Sequence, residues 1–265
     1  MTTLPYLFDT HAHLDFPKLS EEMDAILERA TEAGVDRIVT IGASRGLDSN
    51  YRALSIARAH PDRIRATAGI HPHDASVCDD QVFATIRDEF SRLPEVVAIG
   101  ETGLDYYYDK APQEKQRTVF RRFLELAIEV DKPVIIHSRE AEEDTVRLLE
   151  ESGCRKGIIH CFTGSKEMAF QCLDLGFHIS FSGIVTFKNG RDLLEIASQI
   201  PVERLLVETD SPYLAPTPKR GKSNEPSYVR YTAEKIAEAR GLSLDELATM
   251  TTKNASELYQ WPLPR

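Results

Sequence analysis

Cysteine is scarce in this chain. Only Cys78, Cys154, Cys161 and Cys172 occur among 265 residues, and no two stand in a C-x-x-C spacing. That excludes a thiolate zinc knuckle and a dithiol redox motif. Free, buried thiols suit a reducing compartment, so a cytoplasmic location is expected. Long apolar runs are missing too. No stretch nears the ~20 residues that span a bilayer, so no membrane partner is expected. The first residues lack the basic start and apolar run of a signal peptide. Positive charge is in deficit, with 32 Lys and Arg against 42 Asp and Glu and a formal net charge of -10. A basic coat for nucleic acid is thereby excluded, and an anionic substrate has to be held by local groups. No Gly/Ser linker, low-complexity segment or shift in composition divides the chain, so one domain over 1–265 is expected. No obligate protein partner is evident.

What is present is an alternation. Short apolar runs that read as strands cover 6–8, 37–41, 64–70, 96–100, 133–136, 157–159, 177–182 and 204–209. Segments with helical spacing separate them, over 20–33, 47–60, 79–92, 112–130, 141–151, 166–175 and 190–199. Two further helices follow at 228–240 and 243–259, and the proline-containing tail from Trp261 to Arg265 ends regular structure. Ser20 is a candidate N-cap, and Gly34, Gly153 and Gly176 are candidate stops. Eight βα units, at about 33 residues each, predict an α/β fold, a (β/α)8 TIM barrel. A doubly wound open sheet is the alternative. It usually carries a glycine-rich loop after its first strand, where this chain has His11-Ala12-His13.

The polar residues sort by position. His11 with His13, Glu101, His137, His160 and Asp210 each stand at the C-terminal end of a predicted strand. In a closed parallel barrel those ends share one rim, where catalytic groups gather. Strand alternation puts Asp9, His11 and His13 on one face. Four imidazoles and two carboxylates meeting there form a metal-ligand set for Mg, Mn or Zn. Six ligands exceed one tetrahedral ion and suit two divalent metal ions with a bridging carboxylate. Asp210, at the rim, is the candidate general base. Asp9 and Glu208 are read as buried acids that need partners. Cys161, beside His160, is expected to pack in the core. His71 is a candidate for binding substrate phosphate or a further ion, with His73 a weaker one. Arg139 and Lys188 lie in predicted rim loops and are candidates for phosphate contacts, ahead of Lys219, Arg220 and Lys222. Tyr106, Tyr107 and Tyr108 are candidates for stacking on bases.

The motifs Asp9-Thr10-His11-Ala12-His13-Leu14-Asp15, Gly69-Ile70-His71-Pro72-His73 and Gly100-Glu101-Thr102-Gly103-Leu104-Asp105 carry a resemblance. His137-Ser138-Arg139, His160-Cys161-Phe162-Thr163-Gly164, Glu208-Thr209-Asp210-Ser211-Pro212 and Asn224-Glu225-Pro226 continue it in order over nearly the whole chain. The chain resembles the TatD family of metal-dependent deoxyribonucleases, within the amidohydrolase-like superfamily. The resemblance implies that His11, His13, Glu101 and Asp210 hold one ion, and Glu101, His137 and His160 a second, with Glu101 as the bridge. It implies catalysis through Glu101 and Asp210, and a DNA substrate, with RNA as an alternative. It also implies 3′-5′ exonuclease action on single strands. The fold leaves other hydrolyses open on the same scaffold: amide, ester or lactone cleavage, or removal of an aminoacyl group from tRNA. A non-catalytic metal-dependent binding protein is a third reading, disfavoured by the intact ligand set.

Overall fold

Each predicted run becomes one strand of a parallel sheet whose neighbours follow chain order from first to last. The computed structural model describes residues 6–108 and 110–262. The strands are β1 (Leu7–Ala12), β2 (Val35–Thr40), β3 (Ile64–Ala68), β4 (Val96–Asp105), β5 (Val134–Arg139), β6 (Gly157–Ile159), β7 (His178–Phe181) and β8 (Leu205–Val207). The helices between them are α1 (Pro17–Ser20), α2 (Met23–Glu32), α3 (Leu47–Ala59), α4 (Asp80–Thr85), α5 (Gln113–Glu129), α6 (Glu142–Ser152), α7 (Lys166–Asp174) and α8 (Arg191–Gln199). α9 (Val229–Arg240) and α10 (Leu244–Leu258) close the chain. This is the expected single-domain (β/α)8 barrel. Trp261 and Pro262 lie outside regular structure, and the rest of the expected tail lies outside the described residues.

Local signals account for some boundaries. Ser243 caps α10: its hydroxyl accepts from the Glu246 amide while the Glu246 carboxylate accepts from the Ser243 amide. Asp79 caps α4 through the Val82 amide. Gly153 ends α6 with φ +71. Two expectations fail. Ser20 does not cap α2; it is the last residue of α1, which starts with Pro17 at its first position, and α2 begins after Glu22. The 79–92 helix changes at Ile86–Phe90 into a π turn.

The barrel is filled by Phe8, Val39, Ile41, Val97, Ile135, Ile158 and Leu206. Tyr259 and Trp261 plug the end where the strands begin: Phe8 stacks on Tyr259 at 5.8 Å and meets Trp261 edge-on at 5.5 Å. A second apolar layer lies between strands and helices. Burying a side chain such as Phe8 contributes about 1.5–3 kcal/mol.

The sheet closes on itself at β1 and β8. The Asp210 amide donates to the His11 carbonyl at 2.9 Å, and the His13 amide to the Ser211 carbonyl at 2.7 Å. Asp9 reinforces this seam by accepting from the Thr209 amide at 2.9 Å and hydroxyl at 2.6 Å. Burial pushes the Asp9 carboxyl up to about 8, even against those bonds.

Four register shifts interrupt the ladders, and two of them lie beside the polar residues at the rim. Asp9 pairs with Ile38 but Ala12 with Thr40, so β1 carries one residue more than β2 across Thr10 and His11. Ile99 pairs with Val134 but Thr102 with Ile136, so β4 carries one more than β5 across Gly100 and Glu101. Bulges re-aim side chains at barrel rims. His11 and His13 still point to one place as expected, their Nε2 atoms 3.3 Å apart, with the bulge between Asp9 and Ala12 adjusting their aim. β4 also continues past its expected end at Gly100 to Asp105, and β5 runs to Arg139, so Glu101 and His137 lie inside strands rather than at their ends.

Gly103 keeps β4 against β5 beside His137. Its φ is +135, and a Cβ there would stand 2.1 Å from the His137 carbonyl oxygen. Backbone cannot yield as a side-chain tip can. Gly103→Ala is expected to lower unfolding stability by about 1–3 kcal/mol through strain and displacement of β5. Urea unfolding followed by circular dichroism checks this, and a midpoint equal to that of the parent chain would refute it.

Candidate metal centre

The seam and the two bulges aim their polar side chains into one cup. Around Glu101 Oε2, His11 Nε2 lies at 3.5 Å and His13 Nε2 at 3.7 Å. Asp210 Oδ1 is 3.7 Å from His11 Nε2 and 3.4 Å from His13 Nε2, and the two Nε2 atoms are 3.3 Å apart. These separations exceed the 2.7–3.2 Å or so of good hydrogen bonds. They match the edges of a tetrahedron: ligands about 2.0–2.2 Å from a central ion stand about 3.3–3.6 Å from one another. Glu101 Oε2 is buried and has no hydrogen-bond partner among the described residues. A buried carboxylate oxygen left so is costly unless a cation meets it.

The other oxygen of Glu101 faces a second group. His160 Nε2 lies 2.8 Å from Oε1, His137 Nδ1 3.1 Å and His71 Nε2 3.4 Å. His137 Nδ1 and His160 Nε2 are 3.3 Å apart. Donor sets that could hold an ion thus occur on both sides of one carboxylate, and the donor chemistry fits divalent metals.

Partners on the far side of each ring decide which nitrogen presents a lone pair. His137 Nε2 stands 3.0 Å from Asp105 Oδ2, and His160 Nδ1 stands 3.2 Å from Glu208 Oε1. Those nitrogens carry the protons, which leaves Nδ1 of His137 and Nε2 of His160 as ligand atoms when the rings are neutral. His71 is the reverse case. Its Nδ1 accepts from the His73 amide at 3.1 Å, so Nε2 carries the proton and acts as a donor. Burial pushes His71 down to about 4, which keeps it neutral.

The charges interlock. Burial opposes ionisation of Glu101, yet the surrounding imidazoles, His160 and His71 foremost, hold it well below the usual carboxylate range. Burial likewise disfavours charge on His160, but Glu101 and Glu208 raise it well above the ordinary histidine value. His137 is raised against burial by hydrogen bonds with Asp105 and Glu101, and His13 against burial by Asp210. His11 goes the other way, lowered by burial and by its stacked neighbour His160, whose ring centre lies 3.9 Å away. Asp210 is lowered because its contact with His13 outweighs burial. Asp105 is lowered, against burial, by hydrogen bonds with His137 and His73.

All six expected ligand residues converge here. Of the expected substrate contacts, His71 and Arg139 line the cavity of about 860 Å³ above the cluster. Lys188 is exposed and does not line it, nor do Lys219, Arg220 and Lys222. Lys219 lies over the Tyr228 ring and Arg220 over Phe187. Tyr106 also departs from expectation. Its hydroxyl donates to Asp144 and accepts from Arg117, which turns it away from the cavity. Cys161 lines the cavity wall instead of packing in the core. Arg45, Glu140, Cys161, Asp210 and Leu214 all line this cavity with left-handed φ between 42° and 62°. Non-glycine residues in that region cost on the order of 1 kcal/mol each and cluster where function requires it.

Asp105 stands outside the residues expected at strand ends. It buttresses His137 and, at 2.9 Å, His73 Nε2. The i, i+2, i+4 spacing of Glu101, Gly103 and Asp105 carries the signal once β4 runs on past Gly100. Arg45 had no local signal. It is placed by Asp15, a buried acid distant in sequence whose carboxylate accepts its Nη2–H.

Comparison with known proteins places the chain in a family of metal-dependent hydrolases. The family described as TatD related DNase matches residues 8–260. The chain is 46% identical to an uncharacterized metal-dependent hydrolase, YabD, of Bacillus subtilis, over 96% of this chain and 99% of that one. It is 36% identical to a protein of Erwinia tasmaniensis named 3′-5′ ssDNA/RNA exonuclease TatD, over 96% and 99%. The crystal structure of YJJV, a TatD homologue from Escherichia coli K12, superposes with a TM-score of 0.92 at 29% identity, covering 98% of this chain and all of that one.

Glu101→Gln keeps the shape of the shared carboxylate and removes its charge. It is expected to lower bound metal in purified protein by at least about half, as read by elemental analysis. Unchanged metal content would refute the shared role. Asp105→Asn is expected to weaken metal affinity about 10–100-fold in competition against a chromophoric chelator, because His137 loses its orienting acceptor. Parent affinity in that variant would show the contact with His137 to be incidental.

Proposed function

We propose, from the chain's membership of the TatD family of metal-dependent hydrolases, that it cleaves phosphodiester bonds of DNA and trims single strands from the 3′ end. The observation that carries this reading is Glu101, one carboxylate with an imidazole set on each oxygen. His11, His13, Glu101 and Asp210 would hold one divalent ion, and Glu101, His137 and His160 a second, each Mg, Mn or Zn. Such ions supply Lewis acidity toward phosphoryl oxygens and lower the pKa of water toward neutrality.

The chain's own groups account for the remaining tasks. Asp210 is ionised at neutral pH and partly exposed, with a side chain 14% accessible, so it can accept a proton at the mouth of the cup. His71 is neutral with its proton on Nε2, and it can donate to a phosphate oxygen without adding charge. Arg139 lines the cavity and supplies the cationic contact that an acidic chain must provide locally. Lys188, outside the cavity, would meet the strand farther along. The single-strand and 3′-end assignments are supported by the name of the Erwinia relative.

Metal-reconstituted protein is expected to hydrolyse single-stranded DNA, RNA and a chromogenic phosphodiester, with at least about 100-fold loss on chelation and recovery on adding metal back. Simple lactones serve as the contrasting substrates. Cleavage of lactones alone would replace the nuclease reading with carbonyl hydrolysis, and inactivity on every substrate would leave a binding protein.

A further inference from the structure

The metal cluster leaves the aromatic residues around its mouth unexplained. Tyr107, Tyr108 and Tyr213 are 52%, 48% and 48% exposed, whereas most large apolar side chains here are buried. Two aromatic groups flank the histidines. On the β1/β8 side, Tyr213 meets Phe16 edge-on at 5.6 Å and lies 6.1 Å from the His13 ring. The Arg45 guanidinium sits 4.8 Å over the Phe16 ring, tied back to the buried Asp15. On the β4/β5 side, Tyr107 and Tyr108 meet edge-on at 4.9 Å, and Tyr108 lies 5.3 Å from the His73 ring. The Arg139 guanidinium sits 4.3 Å over Tyr107 and 4.8 Å over Tyr108. His73 in turn packs on His71 at 4.4 Å.

We infer that these two aromatic–arginine brackets hold unpaired bases on either side of the scissile phosphate, so that the cavity takes single-stranded polynucleotide whatever its sequence. The inference rests on the phosphodiesterase reading above. Every base offers a π face, so stacking on an exposed ring binds without reading sequence. Edge-on packing within each pair holds the rings in place and lowers the entropy lost on binding. Arg139, held over its two rings, keeps its charge at the rim for a flanking phosphate, while Arg45, paired with Asp15, fixes the Phe16 ring. A duplex already stacks its bases on one another and must unstack them to use the brackets. That opposes its entry.

Three oligonucleotides test this with metal-loaded protein: an intact single strand, one abasic on the 3′ side of the scissile linkage, and one abasic on the 5′ side. Each abasic position is expected to raise KM about tenfold in the parent chain, the size of one lost stacking contact. Tyr108→Leu should bring one of the two KM ratios close to one, and Tyr213→Leu the other. Tyr108→Phe and Tyr213→Phe should restore the parent ratios, because the ring rather than the hydroxyl is required. Equal KM for intact and abasic strands in the parent, or unchanged ratios in both leucine variants, would overturn the brackets and leave the nuclease reading standing. Absence of any phosphodiester cleavage by the parent would overturn both.

Discussion

Closure of the barrel between β1 and β8 is the constraint on which the site depends. The regular ladder of β8 stops at Val207, and the seam is completed by backbone bonds from Asp210 to His11 and from His13 to Ser211. The residues that make those bonds include three of the four whose side chains surround the first donor position. Shutting the barrel therefore assembles that position. Asp9 sits beneath the seam and ties Thr209 to β1, so the strand bearing His11 and the one leading to Asp210 move as one piece. Each bond contributes only about 0.5–1.5 kcal/mol net, but breaking one moves a donor out of register.

The electrostatic arrangement follows from the depth of the cup. Glu101 is 2% exposed and His11 1%, so their charges are removed from most of the water that would screen them. The structure answers with layers. Glu101 and Asp210 face the centre; Asp105 and Glu208 stand behind His137 and His160 and set their orientation. Two cations, Arg45 and Arg139, line the mouth beside Asp74, Glu140 and Glu142, and Arg45 is paired with the buried Asp15. Both arginines are laid over aromatic rings, so their charge stays near the entrance. In a chain with a net charge of -10, Arg139 is therefore the cation left at the mouth to meet an anionic group.

Much of this was legible in the residues. Apolar runs at regular intervals announced the strands, and His11, His13, Glu101, His137, His160 and Asp210 stood close enough to strand ends to point to one rim. The donor atoms were less accessible to such reading. Glu101 reaches the cup because β4 bulges at Gly100, and the side-chain direction of a bulge is not written in a period-two pattern. Asp105 lies in the part of β4 beyond its apolar run, where hydrophobic pattern does not mark a strand. Lys188 carried the right charge at the right position along the chain, but its loop holds it outside the cavity.

By itself the sequence determined the element order, the closed α/β architecture and the residue types gathered at one end, because hydrophobic periodicity and donor chemistry are local properties. The tertiary structure alone decided that Glu101 faces two imidazole sets and that the Nδ1 of His71 is taken up by the His73 amide. It also decided that Arg45 stands at the mouth. The placements of Glu101 and Arg45 depend on distances of a few ångströms between groups 30 or more residues apart, as Arg45 is from Asp15 and His71 from Glu101. Such distances are set by how strands slip, bulge and close.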